Sequence, residues 1–286
     1  MKYIFFGTPE FAAIVLEKLI NAGYIPEAVI CNPDEPVGRK QVLTSPPVKI
    51  LAEKFNITVF QPEKLRDNKK FIKELKKLKL ELAIVAAYGK ILPKEILDIP
   101  RLGSIGVHPS LLPKYRGSTP IQNTILNGDT ETGVTLYVLD EKMDHGSILA
   151  ISNFQFPISK ITYEELLKEL AELAGNLLVE TLPKFAAGEI KPEPQNEAEA
   201  IYTKKFKSED AFVDENDLKE AESGKNQKKA ELIDRKIRAL NPEPGVWTLE
   251  NGKRVKLLEA EISENKLVLK KIQIEGEKPR RVESSM

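Results

Sequence analysis

The sequence predicts an α/β protein with an open, mostly parallel sheet, followed by a small β-rich domain. Through roughly the first two thirds of the 286 residues, short apolar segments alternate with amphipathic segments on the spacing of βαβ units. Toward the C-terminus, short apolar runs instead follow one another at hairpin-like intervals. This length allows one large domain and one small one. We therefore expect helices on both faces of the first sheet.

The elements of the first half follow from its periodicity. Residues 2–6 are a β-branched and aromatic strand that a Gly-Thr-Pro turn interrupts. A helix at 45–55 is predicted to begin at a Ser45 cap with proline in its first turn. Residues 82–87 are a continuous apolar run, which is typical of a strand buried on both faces of a parallel sheet. The other predicted elements are helices at 10–22 and 68–78 and strands at 28–31, 57–60, 103–107 and 133–139.

The second half changes character after one long helix. This amphipathic helix is predicted at 162–187, and Thr162 and Glu165 form a capping box at its start. The stretch 189–204 is rich in proline and polar residues and is interpreted as a linker. Charge-rich segments at 217–224 and 226–238 follow, and strands are predicted at 246–249, 254–258, 267–269 and 272–274. The predicted domains are thus 1–188 and 205–286, joined by the linker.

The charge balance and the cysteine count restrict the classes of function. Lysine plus arginine number 43 and aspartate plus glutamate 43, so the zero net charge argues against binding of nucleic acid by bulk charge alone. Cys31 is the only cysteine, which excludes a disulfide framework within the chain and a thiolate metal cluster. The apolar run at the N-terminus is too short for a signal peptide or a membrane span. We expect a reducing, cytoplasmic setting and no membrane partner.

Two polar residues after predicted strands are the first candidates for chemistry. His108, one of two histidines, follows the strand at 103–107, and Asp144 lies in the loop after the strand at 133–139. Because ligands bind beyond the carboxyl ends of strands in open α/β sheets, we expect both residues to leave the sheet at the same edge. A histidine can shuttle protons near neutral pH, and a neighbouring carboxylate fixes its tautomer.

Two alternatives stay open on the residues alone. His108 and Asp144 can each merely shape a turn, or His145, the neighbour of Asp144, can be the functional histidine. Adjacent residues on an extended loop tend to point apart, which favours His108 as the partner of Asp144.

The segments around these residues resemble the folate-dependent formyltransferase family. The motif His-Pro-Ser-Leu-Leu-Pro at 108–113, with the later Met-Asp-His-Gly at 143–146, is specific to that family. The other matching segments are 6–11, 32–39, 45–49, 85–93, 115–117, 120–122, 133–135, 237–242, 244–245 and Trp247. The resemblance thus spans nearly the whole chain, and within the family it is strongest to the branch that acts on a tRNA.

The resemblance implies a Rossmann-like formyltransferase domain followed by an OB-like β-barrel that contacts tRNA. In such enzymes an amine attacks the formyl carbon of 10-formyltetrahydrofolate, and the tetrahedral intermediate collapses to the formylated amine and tetrahydrofolate. His108 is then expected to donate to the oxyanion and to help move the proton, while Asp144 orients His108 and relays protons through water. No metal cofactor is expected. The residues expected to bind folate are Ser110, Leu111, Leu112, Pro113, Tyr88, Gly89, Ile91, Leu92 and Asp140.

Gly106 departs from the family pattern, which usually has Asn two residues before the histidine. The amide of that Asn also holds the formyl oxygen, and removal of one oxyanion donor typically lowers the rate by about 10²–10³-fold. Either the Gly106 backbone, a water or another side chain replaces that amide as the donor to the formyl oxygen, or the protein is a slow or altered formyltransferase. The retained Ser110 and Asp144 favour replacement.

The expected acceptor is an initiator methionyl-tRNA, and a monomer is expected to act on it. Residues 36–44 match the family loop that enters the acceptor end of the tRNA, although composition alone favours a mobile surface loop with solvated cations. Arg39 and Lys40 in this loop and Arg238 in the C-terminal domain are predicted tRNA contacts. Further candidate phosphate contacts are Lys225, Lys228, Lys229, Arg235, Lys253, Arg254, Lys256, Lys270 and Lys271.

The C-terminal domain is shorter than is usual for the family, by about one hairpin, so we expect a smaller or more open barrel. Two rival functions stay open. A protein of the same fold can formylate an amino sugar nucleotide or another small amine, and a non-catalytic relative can bind tRNA or folate only. The loop at 36–44 argues against the first rival, and Gly106 motivates the second.

Overall fold

The computed structural model describes residues 1–38, 40–155, 157 and 160–282. The chain forms two compact units, and neither unit is a single stretch of sequence. The first comprises Met1–Ser118, Glu131–Gln155 and Leu167–Tyr202, and the second comprises Thr119–Thr130, Phe156–Leu166 and Thr203–Met286. Most of the segment interpreted as a linker, 189–204, therefore belongs to the first unit.

The first unit is built on a seven-stranded sheet, which confirms the predicted α/β class. In chain order the strands of the protein are β1 (Tyr3–Gly7), β2 (Ala28–Ile30), β3 (Glu35–Val37), β4 (Val42–Thr44), β5 (Val59–Phe60), β6 (Leu82–Ala86), β7 (Ser104–His108), β8 (Arg116–Gly117), β9 (Glu131–Val138), β10 (Ile148–Gln155), β11 (Tyr202–Thr203), β12 (Trp247–Glu250), β13 (Lys253–Ser263), β14 (Lys266–Ile274) and β15 (Arg280–Arg281). The order across the sheet is β10-β9-β7-β6-β1-β2-β5, and the strands from β5 to β7 are all parallel. Strands β1 and β6 are almost entirely buried, as expected for parallel strands that are covered on both faces.

Strand β9 runs opposite to its neighbour β7, with Gly106 paired to Tyr137 and His108 paired to Thr135. The end of β9 therefore lies at the edge where β7 begins. The prediction that His108 and the loop carrying Asp144 leave the sheet at the same edge was wrong in this respect. The apolar pattern of a strand reports which side chains are buried but does not encode its direction, which here follows from pairing with β7 and β10.

The helices in chain order are α1 (Glu10–Asn21), α2 (Pro47–Lys54), α3 (Lys69–Lys77), α4 (Lys94–Leu97), α5 (Pro120–Asn127), α6 (Tyr163–Ala186), α7 (Glu215–Ser223) and α8 (Gln227–Leu240). Helix α2 begins at Pro47, and the predicted Ser45 cap is wrong because the Ser45 hydroxyl donates instead to Asp34 Oδ2 at 2.9 Å. The capping box of α6 is confirmed. The backbone N–H of Thr162 donates to Glu165 Oε2 at 2.9 Å, and that of Glu165 donates to Thr162 Oγ1 at 3.4 Å.

The second unit contains a four-stranded antiparallel sheet in the order β12-β13-β14-β15. The predicted C-terminal β-rich domain is confirmed. The strands predicted at 267–269 and 272–274 are one strand, β14, which continues through a bulge at Lys270. Lys271 pairs with Glu259 of β13 in the ladder, and the Lys270 ammonium forms an ion pair with Glu261. Within residues 203–282, β12 and β15 form the two edges of this sheet and do not pair with each other, so the sheet is open.

Helices α7 and α8 arise from the charge-rich segments and pack on each other and on the sheet of the second unit. Helix α8 buries Ala230, Ile233, Ile237 and Leu240, at intervals of three and four residues that form one apolar stripe. Helix α5, from a much earlier part of the chain, also packs against α8. The core of the second unit therefore draws on two distant regions of the sequence.

Candidate functional site

His108 is the last residue of β7, and its side chain is only 5% exposed. Its Nε2 atom lies 2.9 Å from the carbonyl oxygen of Tyr115. A carbonyl oxygen can only accept, so Nε2 carries the proton in this hydrogen bond. The other ring nitrogen, Nδ1, faces Asp144 Oδ2 at 3.7 Å. The predicted pair is therefore brought together at the carboxyl end of β7, at ion-pair distance.

Asp144 reaches His108 because the loop 139–147 folds back along β9. Gly146 makes this return possible, since a Cβ atom there would overlap the backbone carbonyl of Val138. Asp144 itself has φ of 49°, in the left-handed region that aspartate tolerates better than most residues. Its Oδ2 atom accepts the backbone N–H of Gly117 at 2.7 Å, and its Oδ1 atom accepts the hydroxyl of Tyr137 at 2.6 Å. Both carboxylate oxygens are thus held by the first unit.

His145 points to a different set of partners from Asp144. Its Nδ1 atom lies 2.6 Å from Asp140 Oδ2, and its Nε2 atom lies 3.5 Å from Glu197. Asp140 also accepts the backbone N–H of Lys142 at 2.9 Å. This arrangement makes His108, and not His145, the histidine that faces Asp144.

The predicted folate-binding segment from Ser110 to Pro113 is tied to β9 through one side chain. The Thr135 hydroxyl donates to the Ser110 carbonyl at 2.7 Å and accepts the Leu112 N–H at 3.0 Å. Gly133, in the same strand, leaves room for Leu111, because a Cβ atom there would come within 2.5 Å of Leu111 Cδ2. The segment therefore follows His108 closely in the chain, and the hydrogen bonds of Thr135 fix its path along the sheet.

Two of the other residues predicted to bind folate, Ile91 and Leu92, line an open depression of about 490 Å³, whereas Tyr88, Gly89 and Asp140 are not part of its lining. It is lined by Arg66, Asp67, Ile91, Leu92, Pro93, Lys94, Glu95 and Glu141. Ile91 is exposed, whereas Leu92 and Tyr88 are buried. Burial raises the pKa of the Tyr88 phenol well above its usual value. Gly89 has φ of 80°, so the backbone there adopts a turn that glycine permits without strain.

Two protein-family models together match most of this chain. The family model described as "Formyl transferase" matches residues 1–182, and the model described as "Formyl transferase, C-terminal domain" matches residues 225–271. The chain belongs to the formyl transferase family. The seven-stranded sheet, with the His108 and Asp144 pair, lies within the longer of the two matched regions.

The family relatives extend over most of this chain. A protein named methionyl-tRNA formyltransferase from Chloroflexus aurantiacus is 41% identical over 263 residues, which is 92% of this chain and 81% of that protein. Among solved structures, methionyl-tRNA formyltransferase from Clostridium thermocellum shares the fold with a TM-score of 0.61 and 17% identity, over 96% of this chain and 98% of that one. An N-formyltransferase from Helicobacter canadensis, solved with folinic acid and dTDP-3-aminofucose, has a TM-score of 0.61 and 20% identity, over 96% of this chain and 95% of that one.

Residues that the sequence analysis missed hold the site of this formyl transferase in place. Gln195, in the segment interpreted as a linker, donates to the carbonyls of Asp144 and Gly146 at 2.9 and 2.8 Å. Its side-chain oxygen accepts from Arg116 Nε and Nη2 at 3.0 and 2.8 Å. The Arg116 side chain is fully buried and is also paired with Glu197 at 2.6 Å. The only local signal was a polar cluster after a proline, which does not reveal a partner almost 80 residues earlier.

Arg116 and Glu197 also shift each other's pKa. The hydrogen bond to Glu197 raises the pKa of the Arg116 guanidinium, which secures its charge despite burial. The same bond lowers the pKa of the Glu197 carboxyl. The ion pair between Arg116 and Glu197 holds the guanidinium in place, and the guanidinium in turn fixes the side-chain oxygen of Gln195.

The segment predicted to enter the tRNA is a β-hairpin, formed by β3 and β4. The sequence analysis did not predict strands here, because Val37, Val42 and Leu43 are all exposed and no face is buried to impose a pattern. Lys40 is exposed near the tip, and Arg39 lies outside the described residues. At the base, Asp34 accepts hydrogen bonds from Ser45, Lys49 and Gln61.

These bonds hold Asp34 in its charged form. Gln61 contributes most, followed by Lys49, and together with Ser45 they lower the pKa of the Asp34 carboxyl from 3.8 to about 2. Because Gln61 and Lys49 come from outside the hairpin, Asp34 anchors the base of the hairpin to the first unit.

Arg238 in the second unit is only 7% exposed. Its Nε atom donates to Asp234 Oδ2 at 2.8 Å, and its Nη1 atom donates to the Ile161 carbonyl at 2.9 Å. This geometry favours a structural role over the predicted tRNA contact. Several other cations of the set are also paired with carboxylates, namely Lys229, Lys270 and Lys271.

Two kinds of feature are absent from the described part of the chain. No helix in it is long and apolar enough to cross a membrane. It also contains no group of three or more His, Cys, Asp or Glu residues arranged to hold a metal ion.

Proposed function

We propose that this formyl transferase moves the formyl group of 10-formyltetrahydrofolate to the amino group of an initiator methionyl-tRNA, for translation initiation. Members of the family use folate-derived formyl donors, and relatives at about 41% identity are named for methionyl-tRNA. The observation that carries the proposal is the His108 and Asp144 pair, which two distant motifs place 3.7 Å apart beside the segment from Ser110 to Pro113.

The proposed reaction forms one C–N bond and breaks another. The amine nitrogen attacks the formyl carbon, the carbonyl oxygen becomes an oxyanion, and the bond from that carbon to N10 of the folate then breaks. The proton that the amine loses ends on N10, so the atoms balance without an oxidant or a covalent enzyme intermediate. We propose that the Nε2–H of His108 leaves the Tyr115 carbonyl to donate to the oxyanion, and that Asp144 relays the proton through water.

The acceptor side of the proposal rests on the hairpin β3–β4. Its exposed apolar residues and the exposed Lys40 form a surface that suits contact with the end of a tRNA. Arg39 and the open sheet of the second unit, 205–286, are proposed to contribute to the same partner. Because Arg238 is committed to Asp234, we place the tRNA contacts on the hairpin first.

The remaining parts of the proposal concern the setting. We propose that the enzyme acts in the cytoplasm as a monomer and without a metal cofactor, with residues 1–188 as the catalytic domain. Size-exclusion chromatography of the active protein tests the monomer, and turnover in the presence of a chelator tests the metal. A dimeric active species or loss of turnover with the chelator would contradict these parts without affecting the proposed substrate.

The experiment that tests the substrate uses labelled 10-formyltetrahydrofolate. The purified chain is offered charged initiator tRNA in one reaction and an amino sugar nucleotide in a parallel reaction. Label on methionyl-tRNA alone supports the proposal. Transfer to the amino sugar alone would refute it in favour of the same-fold rival, and transfer to neither would favour a binding protein.

Substitutions of the central pair test its role. His108→Ala and Asp144→Ala are each expected to lower kcat by at least about 10²-fold, because each removes a proton-transfer or oxyanion group. Thermal unfolding of both variants should stay cooperative. Near-parental turnover in both variants would show that the chemistry lies elsewhere.

A further inference from the structure

Gly106 lies in the middle of β7, opposite Tyr137 of β9. A Cβ atom at Gly106 would come well inside 3.0 Å of two ring atoms of Tyr137, and would lie 2.6 Å from Leu139 Cδ1. Real Cβ atoms essentially never make such close contacts. Gly106 does not have positive φ, so its backbone conformation does not demand glycine. The space that a side chain at position 106 would need is filled by the ring of Tyr137, which makes the two shortest contacts, and by the end of the Leu139 side chain.

The other end of the same ring contacts the catalytic pair. The Tyr137 hydroxyl donates to Asp144 Oδ1 at 2.6 Å, and the side chain is only 6% exposed. Burial, followed by the charge of Asp144, holds the pKa of the Tyr137 phenol well above its usual value. The hydroxyl therefore stays protonated and remains a hydrogen-bond donor across the working pH range.

The hydrogen bonds at Asp144 decide which role this hydroxyl can play. A phenol has one proton, and the Tyr137 proton is committed to Asp144, so it is not free for a formyl oxygen. The Gly117 N–H holds only Oδ2, the oxygen that faces His108. One hydrogen bond leaves a carboxylate free to rotate about its terminal torsion, whereas a second bond to Oδ1 fixes its plane.

We propose that Tyr137 is a positioning residue that fixes Asp144 against His108, and that Gly106 and Tyr137 are a coupled pair in which the ring takes the space of the absent side chain. The positioning role rests on the proposed function of the His108 and Asp144 pair. The coupling of the two positions rests on packing alone. The two parts can therefore be tested separately.

The positioning role is tested with Tyr137→Phe, which keeps the ring and removes the hydroxyl. We expect kcat for formyl transfer to fall by about 10–100-fold, the range for loss of one bond to a charged group, while KM for each substrate stays within about twofold. The matched control is Tyr3→Phe, which removes another buried hydroxyl, bonded to the Tyr24 carbonyl at 2.7 Å, and should leave kcat unchanged. Equal kcat values for Tyr137→Phe and the parent, or a purely KM effect, would overturn the positioning role.

The coupling is tested by a double-mutant cycle of Gly106→Ala and Tyr137→Leu, read by thermal unfolding. Gly106→Ala alone should lower Tm clearly, because its new methyl group meets the ring. With Tyr137→Leu already present, the same change should lower Tm by less than half as much. Equal losses in both backgrounds, or a harmless Gly106→Ala alone, would overturn the coupling.

These readouts keep failure of the inference apart from failure of the proposed function. If the parent formylates an amine other than methionyl-tRNA, the proposed acceptor is wrong, but Tyr137→Phe is still judged by kcat on that amine. If the parent transfers no formyl group to any amine, the positioning role falls with the proposed function. The unfolding cycle needs no substrate and decides the coupling in every case.

Discussion

Replacement of Gln195 by alanine is expected to weaken both the stability and the turnover of the enzyme. The Gln195 amide bonds the carbonyls of Asp144 and Gly146 on one side and the buried guanidinium of Arg116 on the other. Gln195→Ala leaves all three groups with one partner fewer. The loop 139–147 then loses the two hydrogen bonds that hold its backbone to Gln195, and only the bonds of the Asp144 carboxylate to Gly117 and Tyr137 still fix Asp144 against His108.

The size of the effect follows from the kinds of bond that are lost. Bonds to the two neutral carbonyls contribute about 0.5–1.5 kcal/mol each, and a bond to a charged group contributes about 1.5–3 kcal/mol. Arg116 keeps its pairing with Glu197, and water can reach the partly exposed site, so the lower part of the summed range applies. We expect a loss of about 3 kcal/mol in the free energy of unfolding, which lowers Tm by roughly 5 °C in a chain of this size.

Two measurements with a neighbouring control test this prediction. Thermal unfolding followed by circular dichroism gives Tm, and steady-state formyl transfer gives kcat, which should fall at least about tenfold as Asp144 loses its position. The control is Asn196→Ala, since Asn196 is exposed and its side chain bonds only to Ala198 and Glu199 within its own turn. If Gln195→Ala and Asn196→Ala give the same Tm and the same kcat, the loop does not depend on Gln195 and the reasoning is refuted.

The remaining predictions concern the hairpin β3–β4. Asp34→Asn should lower Tm at neutral pH, and the difference in Tm from the parent should shrink as pH falls from about 4 to about 2. The pKa of Asp34 is lower in the folded protein, so its carboxylate stabilises the fold fully above the unfolded-state pKa near 3.8 and no longer does so below about 2. A difference in Tm that is constant with pH would contradict this. Arg39→Ala and Lys40→Ala should each raise KM for the tRNA several-fold and leave KM for the formyl donor unchanged, whereas Lys77→Ala, an exposed lysine on α3, should change neither; equal effects on both substrates would contradict a tRNA contact.

Elements that carry a strong local pattern were predictable from the sequence. The run at 82–87 and the capping box of Thr162 and Glu165 carry their signal in adjacent residues, and both appear in the structure. The hairpin β3–β4 was missed because its side chains are exposed on both faces. The Ser45 cap was wrong because a competing acceptor, Asp34, lies outside any local pattern.

The site was predictable only in part for the same reason. The sequence motifs identified His108 and Asp144 as candidates, and the fold brings the two side chains together. Tyr137 followed the alternation of an ordinary strand, and nothing in that alternation indicates that its ring fills the space beside Gly106 or that its hydroxyl meets Asp144. Gln195 and Arg116 contact each other across the 79 positions that separate them in sequence. Long-range polar contacts of this kind depend on the finished fold.

The split composition of the second unit has a consequence during protein synthesis. Helix α5 ends at Asn127, and its packing partner α8 begins at Gln227, about a hundred residues later. At translation rates of about 5–20 residues per second, α5 waits roughly 5–20 s before that partner is made. Its apolar residues Ile121 and Ile125, which are buried in the finished protein, lack that cover in the nascent chain. During this interval these apolar side chains are accessible to chaperones and to other nascent chains.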